Sequence, residues 1–174
     1  IKGMTSQSSS NIVYYQSTGQ LTYGSISSYV NSSSYYDSSI VYRRFPEPST
    51  ALGNSNSQGM YCNFVAGATV SAWYCCYITS TGRVGLADAD ASSTMPCVAL
   101  NTTGGSLSAG NTYSLLIYGP VRYTGYSFTP GKPVYVSTTG LPTTTPPSSA
   151  PQCVQVIGYA ISNDAFIFNP SPDF

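Results

Sequence analysis

A chain of 174 residues can bury a substantial core, and it suits one β domain with or without an extended arm. Only 7% of its residues are charged, six basic and six acidic, against roughly 25% in an ordinary globular protein. A phosphate-neutralising surface is therefore excluded, because only Arg43 and Arg44 adjoin, and the lack of histidine removes the usual general base and commonest metal ligand.

No Ser-His-Asp or Cys-His arrangement can exist, and no G-x-x-x-x-G-K-[ST] phosphate loop is present. The one close acidic pair is Asp88/Asp90; Asp37, Glu47, Asp164 and Asp173 stand alone. No enzymatic activity, catalytic residue, nucleic-acid partner or cofactor is expected. No apolar run approaches the roughly 20 residues of a membrane helix, so no membrane insertion is expected either. The chain opens on Ile1 with no secretory signal in view, as a processed or partial product would. Ser, Thr, Asn, Gln and sixteen Tyr supply the polarity. Such a neutral surface suits packing against copies of itself, or an extracellular Ser/Thr-rich adhesion domain.

Residues 1–11 are Ser-rich and read as a linker. Ile12–Tyr15 and Leu21–Tyr23, around a Gly-containing turn, read as a small hairpin. Residues 25–41 mix Ser with Tyr, Ile and Val: either an extended strand gripped by a neighbouring subunit or a mobile linker. Pro46 and Pro48 force an extended path, and 49–59 has loop composition. The main domain is expected to begin near residue 60, after an N-terminal arm over 1–59.

Met60–Val65 is a strand. Thr69–Thr79 is the most β-prone run; Val70, Ala72, Tyr74 and Cys76 should share one face and Ser71, Trp73, Cys75 and Tyr77 the other. Neither face is polar, so this strand should be covered on both sides. Further strands are expected at Arg83–Ala87, Met95–Leu100 and Asn111–Tyr118, the last with Tyr113, Leu115 and Ile117 on one face and ended by Gly119-Pro120. Between them, Asp88 and Asp90 match only the start of an EF-hand loop, since Ser93 and Ala99 replace its Gly and Glu. A polar turn with Asp side chains bonding the backbone accounts for them, and no metal site is assigned. Val121–Tyr123 should open another strand. Pro133–Ser137, Cys153–Ile161 and Ala165–Asn169 follow, with the last two as a hairpin and Leu141–Pro151 as a projecting loop.

Five cysteines (Cys62, Cys75, Cys76, Cys97, Cys153) are an odd number without Cys-x-x-Cys. At least one thiol stays free or pairs between chains, and they read as buried, mostly unpaired strand residues. Tyr123, Tyr126 and Phe128 are the candidate receptor or subunit contacts, because aromatic rings stack on sugars and anchor interfaces. The alternative is that they fill the core. Sequons occur at Asn31 and Asn101, both in segments expected to be exposed.

Residues 84–174 also carry a resemblance. An ADADASSTMP entry, a Gly-rich turn, a strand ending YGPV, then GYSFTPGKPVYVSTTGLPTTTPP, VQVIGYAIS and FIFNPSPDF follow in order. That order resembles a module of bacteriophage and large DNA virus virion surface proteins: tail fibres, head fibres and capsid decoration proteins. VYYQSTGQLTYGS resembles short β segments of phage fibres. The resemblance implies a β module on a virion surface, a homotrimer touching other coat or tail proteins, without catalysis. The reading is thus all-β: a sandwich or jelly-roll-like domain over 60–174 behind an extended arm. It points to a fibre tip or decoration subunit. The alternatives are a glycan-binding host-adhesion module and a subunit of an extracellular filament joined by strand donation.

Overall fold

The structure, a computed structural model, describes residues 11–15, 21–25 and 52–174. Contacts divide the chain into Ile1–Arg43 and Arg44–Phe174. In the first unit β1 (Asn11–Tyr15) pairs antiparallel with β2 (Leu21–Ser25), placing Val13 opposite Tyr23, as the hairpin reading expects. The expectations for residues 26–48, the Asn31 sequon among them, lie outside the described residues.

The second unit begins ahead of the boundary expected at residue 60. Leu52 is fully buried, and its carbonyl accepts a bond from Arg122 Nη1 at 3.1 Å. β3 (Asn56–Ser57) and β4 (Met60–Val65) both pair with β8 (Thr112–Arg122). The other strands are β5 (Cys75–Ile78), β6 (Val84–Leu86), β7 (Cys97–Leu100), β9 (Pro133–Val136), β10 (Pro142–Thr143), β11 (Val156–Ala160) and β12 (Ala165–Phe168). Among the described residues, one 3-10 turn, Ser92–Thr94, interrupts the strands.

The order β10-β9-β11-β12-β8-β7-β5-β6 makes one antiparallel sheet. It curls until its two ends meet. Ala89 N–H bonds the Ser137 carbonyl at 3.0 Å, and Cys75 N–H bonds that of Gly140 at 2.9 Å. The inner faces of the two halves thus enclose one core, a sandwich made from a single sheet. Cys75, Cys97 and Leu116 from one half meet Val134, Val136, Ile157, Phe166 and Phe168 from the other. A smaller cluster on the opposite face of β5, β7 and β8 holds Cys76, Ala99 and Leu115 with Val70 and Leu107. Cys75 and Cys76 therefore fill opposite faces, as the period of two requires.

Two expectations are corrected. Thr69–Thr79 is not one strand: Ser71–Tyr74 turn, and only Cys75–Ile78 is extended. The two-face sorting survives at Val70, Tyr74 and Cys76 against Trp73, Cys75 and Tyr77; Ala72 moves to the Trp73 side. β8 does not end at Tyr118 but runs through Gly119-Pro120 to Arg122. The reason is a crossing partner. Gly119 (φ 139°) lies against Gly59 (φ 151°), where a Cβ on either would collide with the Gln58 or Tyr118 carbonyl oxygen. Pro120 still accepts from Gln58 N–H at 3.0 Å, so its missing donor costs the ladder little.

Buried amides finish the core. Gln155 Oε1 accepts Cys97 N–H at 2.7 Å, and its Nε2 donates to the carbonyls of Cys97 and Ser171 at 3.0 and 2.6 Å. One side chain thus supplies the pairing that the strand expected from Cys153 lacks before Val156. It also docks the C-terminal tail.

Candidate functional site

Tyr123, Tyr126 and Phe128 are brought together, but inward. Tyr126 and Phe128 are buried and Tyr123 is half-buried against the main core. Trp73 stacks on Tyr123 (centroids 5.1 Å apart, planes at 11°). Tyr126 lies edge-on to Tyr123 at 5.2 Å and stacks on Phe128 at 4.8 Å. Phe166 meets both Tyr126 and Phe128 edge-on, at 5.9 and 5.4 Å. Aromatic pairs of this kind add about 0.5–1.5 kcal/mol each beyond the area they bury. The rings of Tyr126 and Phe128 are committed to packing and face no receptor.

The cluster holds a strained corner in place. Trp73 adopts φ 70°, a left-handed conformation that costs a bulky residue about 1–3 kcal/mol. Its N–H bonds the Asn101 carbonyl at 2.6 Å, and its own carbonyl accepts Tyr126 Oη–H at 2.9 Å. Asn101 Nδ2 donates to the carbonyls of Val70, Ser71 and Gly105 at 3.1, 3.0 and 2.9 Å. Asn101 is wholly buried, which corrects the expectation that its sequon is exposed. In the folded domain that amide is unavailable for glycosylation.

Burial pushes the Tyr126 hydroxyl and the Cys75 thiol well above their ordinary values, and a hydrogen bond with Cys97 adds to the shift at Cys75. Burial likewise raises Cys76. These groups stay protonated and make poor nucleophiles. Cys62, Cys75, Cys76, Cys97 and Cys153 are unpaired, but Cys62 is exposed, against the expectation that all are buried. Its strand lies at the sheet's rim, where the period of two no longer decides burial.

Asp88 serves the turn reading. Its Oδ1 accepts Asp90 N–H at 3.2 Å and Thr94 Oγ1–H at 3.1 Å. Among the described residues, no three His, Cys, Asp or Glu side chains converge as a metal would require. No helix among them is long and apolar enough to cross a membrane. The Leu141–Pro151 loop forms an open groove of about 310 Å³ with Ser137, Thr138 and Gln152. Hydroxyls and prolines line it, with no aromatic ring for a sugar to stack on.

What composition hid is an uncharged row across the outer sheet face. Register places Pro133 opposite Tyr159, Tyr159 opposite Ile167, and Ile167 opposite Pro120. Tyr159 is 61% exposed and Ile167 40%. For Ile167 the signal was alternation, since Phe166 and Phe168 on either side are buried. Tyr159 shares the parity of buried Ile157, and the bulge between Val156 and Gly158 is what turns it outward.

Neither a protein-family model nor a curated protein matches the sequence. What fold and site together define is an all-β domain whose polar chemistry is spent on its own backbone and whose outer surface is apolar in places.

Proposed function

We propose that this chain is a structural virion surface protein, a fibre tip or capsid decoration subunit, that assembles as a homotrimer. The observation that carries the reading is the Pro133–Tyr159–Ile167 row, an uncharged apolar strip on the outside of an all-β domain. Copies of the chain bury it without desolvating charge. The resemblance of residues 84–174 to virion modules supports the same reading, and that stretch supplies β6 to β12. The glycan-binding alternative loses its best candidates, since Tyr126 and Phe128 point into the core.

Native mass measurement of the full chain tests it: a trimer is expected. Tyr159→Lys combined with Ile167→Lys should shift the chain to monomer while its melting temperature stays near that of the wild type. A chain that is monomeric at all concentrations refutes the assembly reading.

A further inference from the structure

Residues 52–58 lie along one side of β8 as a strap, and β8 is held from its other side as well. Asn56 and Ser57 pair with Arg122 and Val121, and Gln58 N–H bonds the Pro120 carbonyl at 3.0 Å. The same stretch of β8 pairs with β12, Arg122 opposite Ala165 and Val121 opposite Phe166. Losing the strap therefore leaves this part of β8 in its sheet. Leu52 is buried at one end of the strap, whereas Asn54, Ser55 and Asn56 are exposed. Exposed segments of this kind open at lower cost than the strands behind them.

One guanidinium ties the strap down. Arg122 Nε donates to Asp164 Oδ2 at 2.9 Å, and its Nη1 donates to the Leu52 carbonyl at 3.1 Å. The group is planar, so the carboxylate that holds Nε also aims Nη1. Asp164 is fixed in turn. Ser162 Oγ–H donates to its Oδ1 at 2.7 Å, and its carbonyl accepts Tyr123 N–H at 2.9 Å. Two residues beyond Arg122, Thr124 N–H bonds Asn54 Oδ1 at 2.9 Å, a second tie to the same strap. A line of contacts, Ser162–Asp164–Arg122–Leu52, thus joins the connector between β11 and β12 to the strap.

We propose that residues 52–58 form an acid-released strap, latched by Arg122 on the Asp164 carboxylate. Ionised Asp164 accepts a charge-assisted bond and keeps the guanidinium aimed at Leu52. Once protonated it offers only a weaker neutral acceptor, and the guanidinium turns to water. Among the described residues, Arg122 of β8 is the charge that acts on Asp164, and Tyr123 adjoins it through its backbone. Ser162, Asn163, β12 and the strap add no titratable side chain. Burial raises the Asp164 carboxyl, but the bonds from Ser162 and Arg122 and the charge of Arg122 prevail and hold it below 3.8. The latch is therefore shut above about pH 3.8 and opens as pH falls through the folded value.

Hydrogen exchange of the full chain tests this, with amides resolved singly and intrinsic rates corrected, at about pH 6 and about pH 2.5. The Gln58 and Thr124 amides report the strap, because each bond spans the contact between strap and domain. The Cys97 amide, bonded to Gln155 Oε1 at 2.7 Å, reports the core. In wild type, acid should cut protection of Gln58 and Thr124 by about tenfold or more while Cys97 stays protected. Asp164→Asn should lower their protection already at the higher pH and remove the acid response, and Arg122→Gln should do the same. The wild-type series decides the matter alone where a variant fails to fold. Equal loss at Cys97, no loss at Gln58 and Thr124, or an undiminished acid response in Asp164→Asn overturns the proposal. The latch lies within one chain, so this result and the trimer measurement stand or fall separately.

Discussion

Replacing Phe168 with Ala should unfold this domain more readily than any change to the residue before it. Phe168 is fully buried, with cross-strand neighbours Gly158 on β11 and Gly119 on β8. Neither glycine has a side chain to fill the space, and a Cβ on either would strike a backbone carbonyl oxygen. The ring therefore covers two bare stretches of backbone and meets Phe166 edge-on at 6.2 Å. Truncation leaves a cavity that these neighbours cannot collapse into, which puts the cost at about 3–5 kcal/mol. That is a large share of the 5–15 kcal/mol or so typical of a whole domain. At about 2–4 °C per kcal/mol for a chain of this size, calorimetry should record a drop in melting temperature of roughly 6–20 °C. Ile167→Ala, on the exposed face of the same strand, should move it far less. A Phe168→Ala protein that melts within about 2 °C of wild type would refute the reasoning.

Two further outcomes follow from the buried polar groups. Burial alone would raise the Asp164 carboxyl, but hydrogen bonds from Ser162 and Arg122 and the charge of Arg122, 2.9 Å away, outweigh it and hold the group below its ordinary value of 3.8. A depressed folded value means the stabilisation is complete above about pH 3.8 and is lost as pH falls through the folded value. Melting temperature should therefore drop on acidification in that window, and Asp164→Asn should flatten the drop; an identical acid slope in both proteins would contradict it. A maleimide probe on the native chain should label Cys62 fast and Cys153 more slowly, and leave Cys75, Cys76 and Cys97 unreacted until denaturant is added. Rapid modification of Cys75 or Cys97 would show that the core is not closed as described.

The hairpin of β11 and β12 was legible in the sequence because its signals are local. β-branched and aromatic residues alternate, and Ser162-Asn163-Asp164 supplies a short polar connector. Phe166 and Phe168 on one face with Ile167 on the other follow from the period of two alone. The same holds for Cys75 and Cys76 on opposite faces, and for Tyr113, Leu115 and Ile117 together on β8. The candidate site was less legible. Tyr123, Tyr126 and Phe128 were visible as an aromatic group, but their direction depends on where Trp73 and Phe166 lie. The exposure of Met60–Asn63 on β4 gave one signal only, the lack of charge.

Local chemistry by itself thus determined that the chain is all-β, where most strands fall and which residues share a face. Steric preferences and side-chain alternation act within a few residues. Tertiary structure alone decided the rest, through partners distant in sequence. Thr69–Tyr74 has strand composition, yet it turns because Asn101 and Tyr126 bond its carbonyls and hold Trp73 left-handed. Gly119-Pro120 has the composition of a strand end, yet β8 continues because Gly59 lets a second backbone cross there. Asn101 reads as an exposed sequon and is buried, because three carbonyls from two loops needed one donor. In each case the residue's own preference is worth a few kcal/mol at most. Hydrogen bonds and packing supplied from elsewhere in the chain outweigh it.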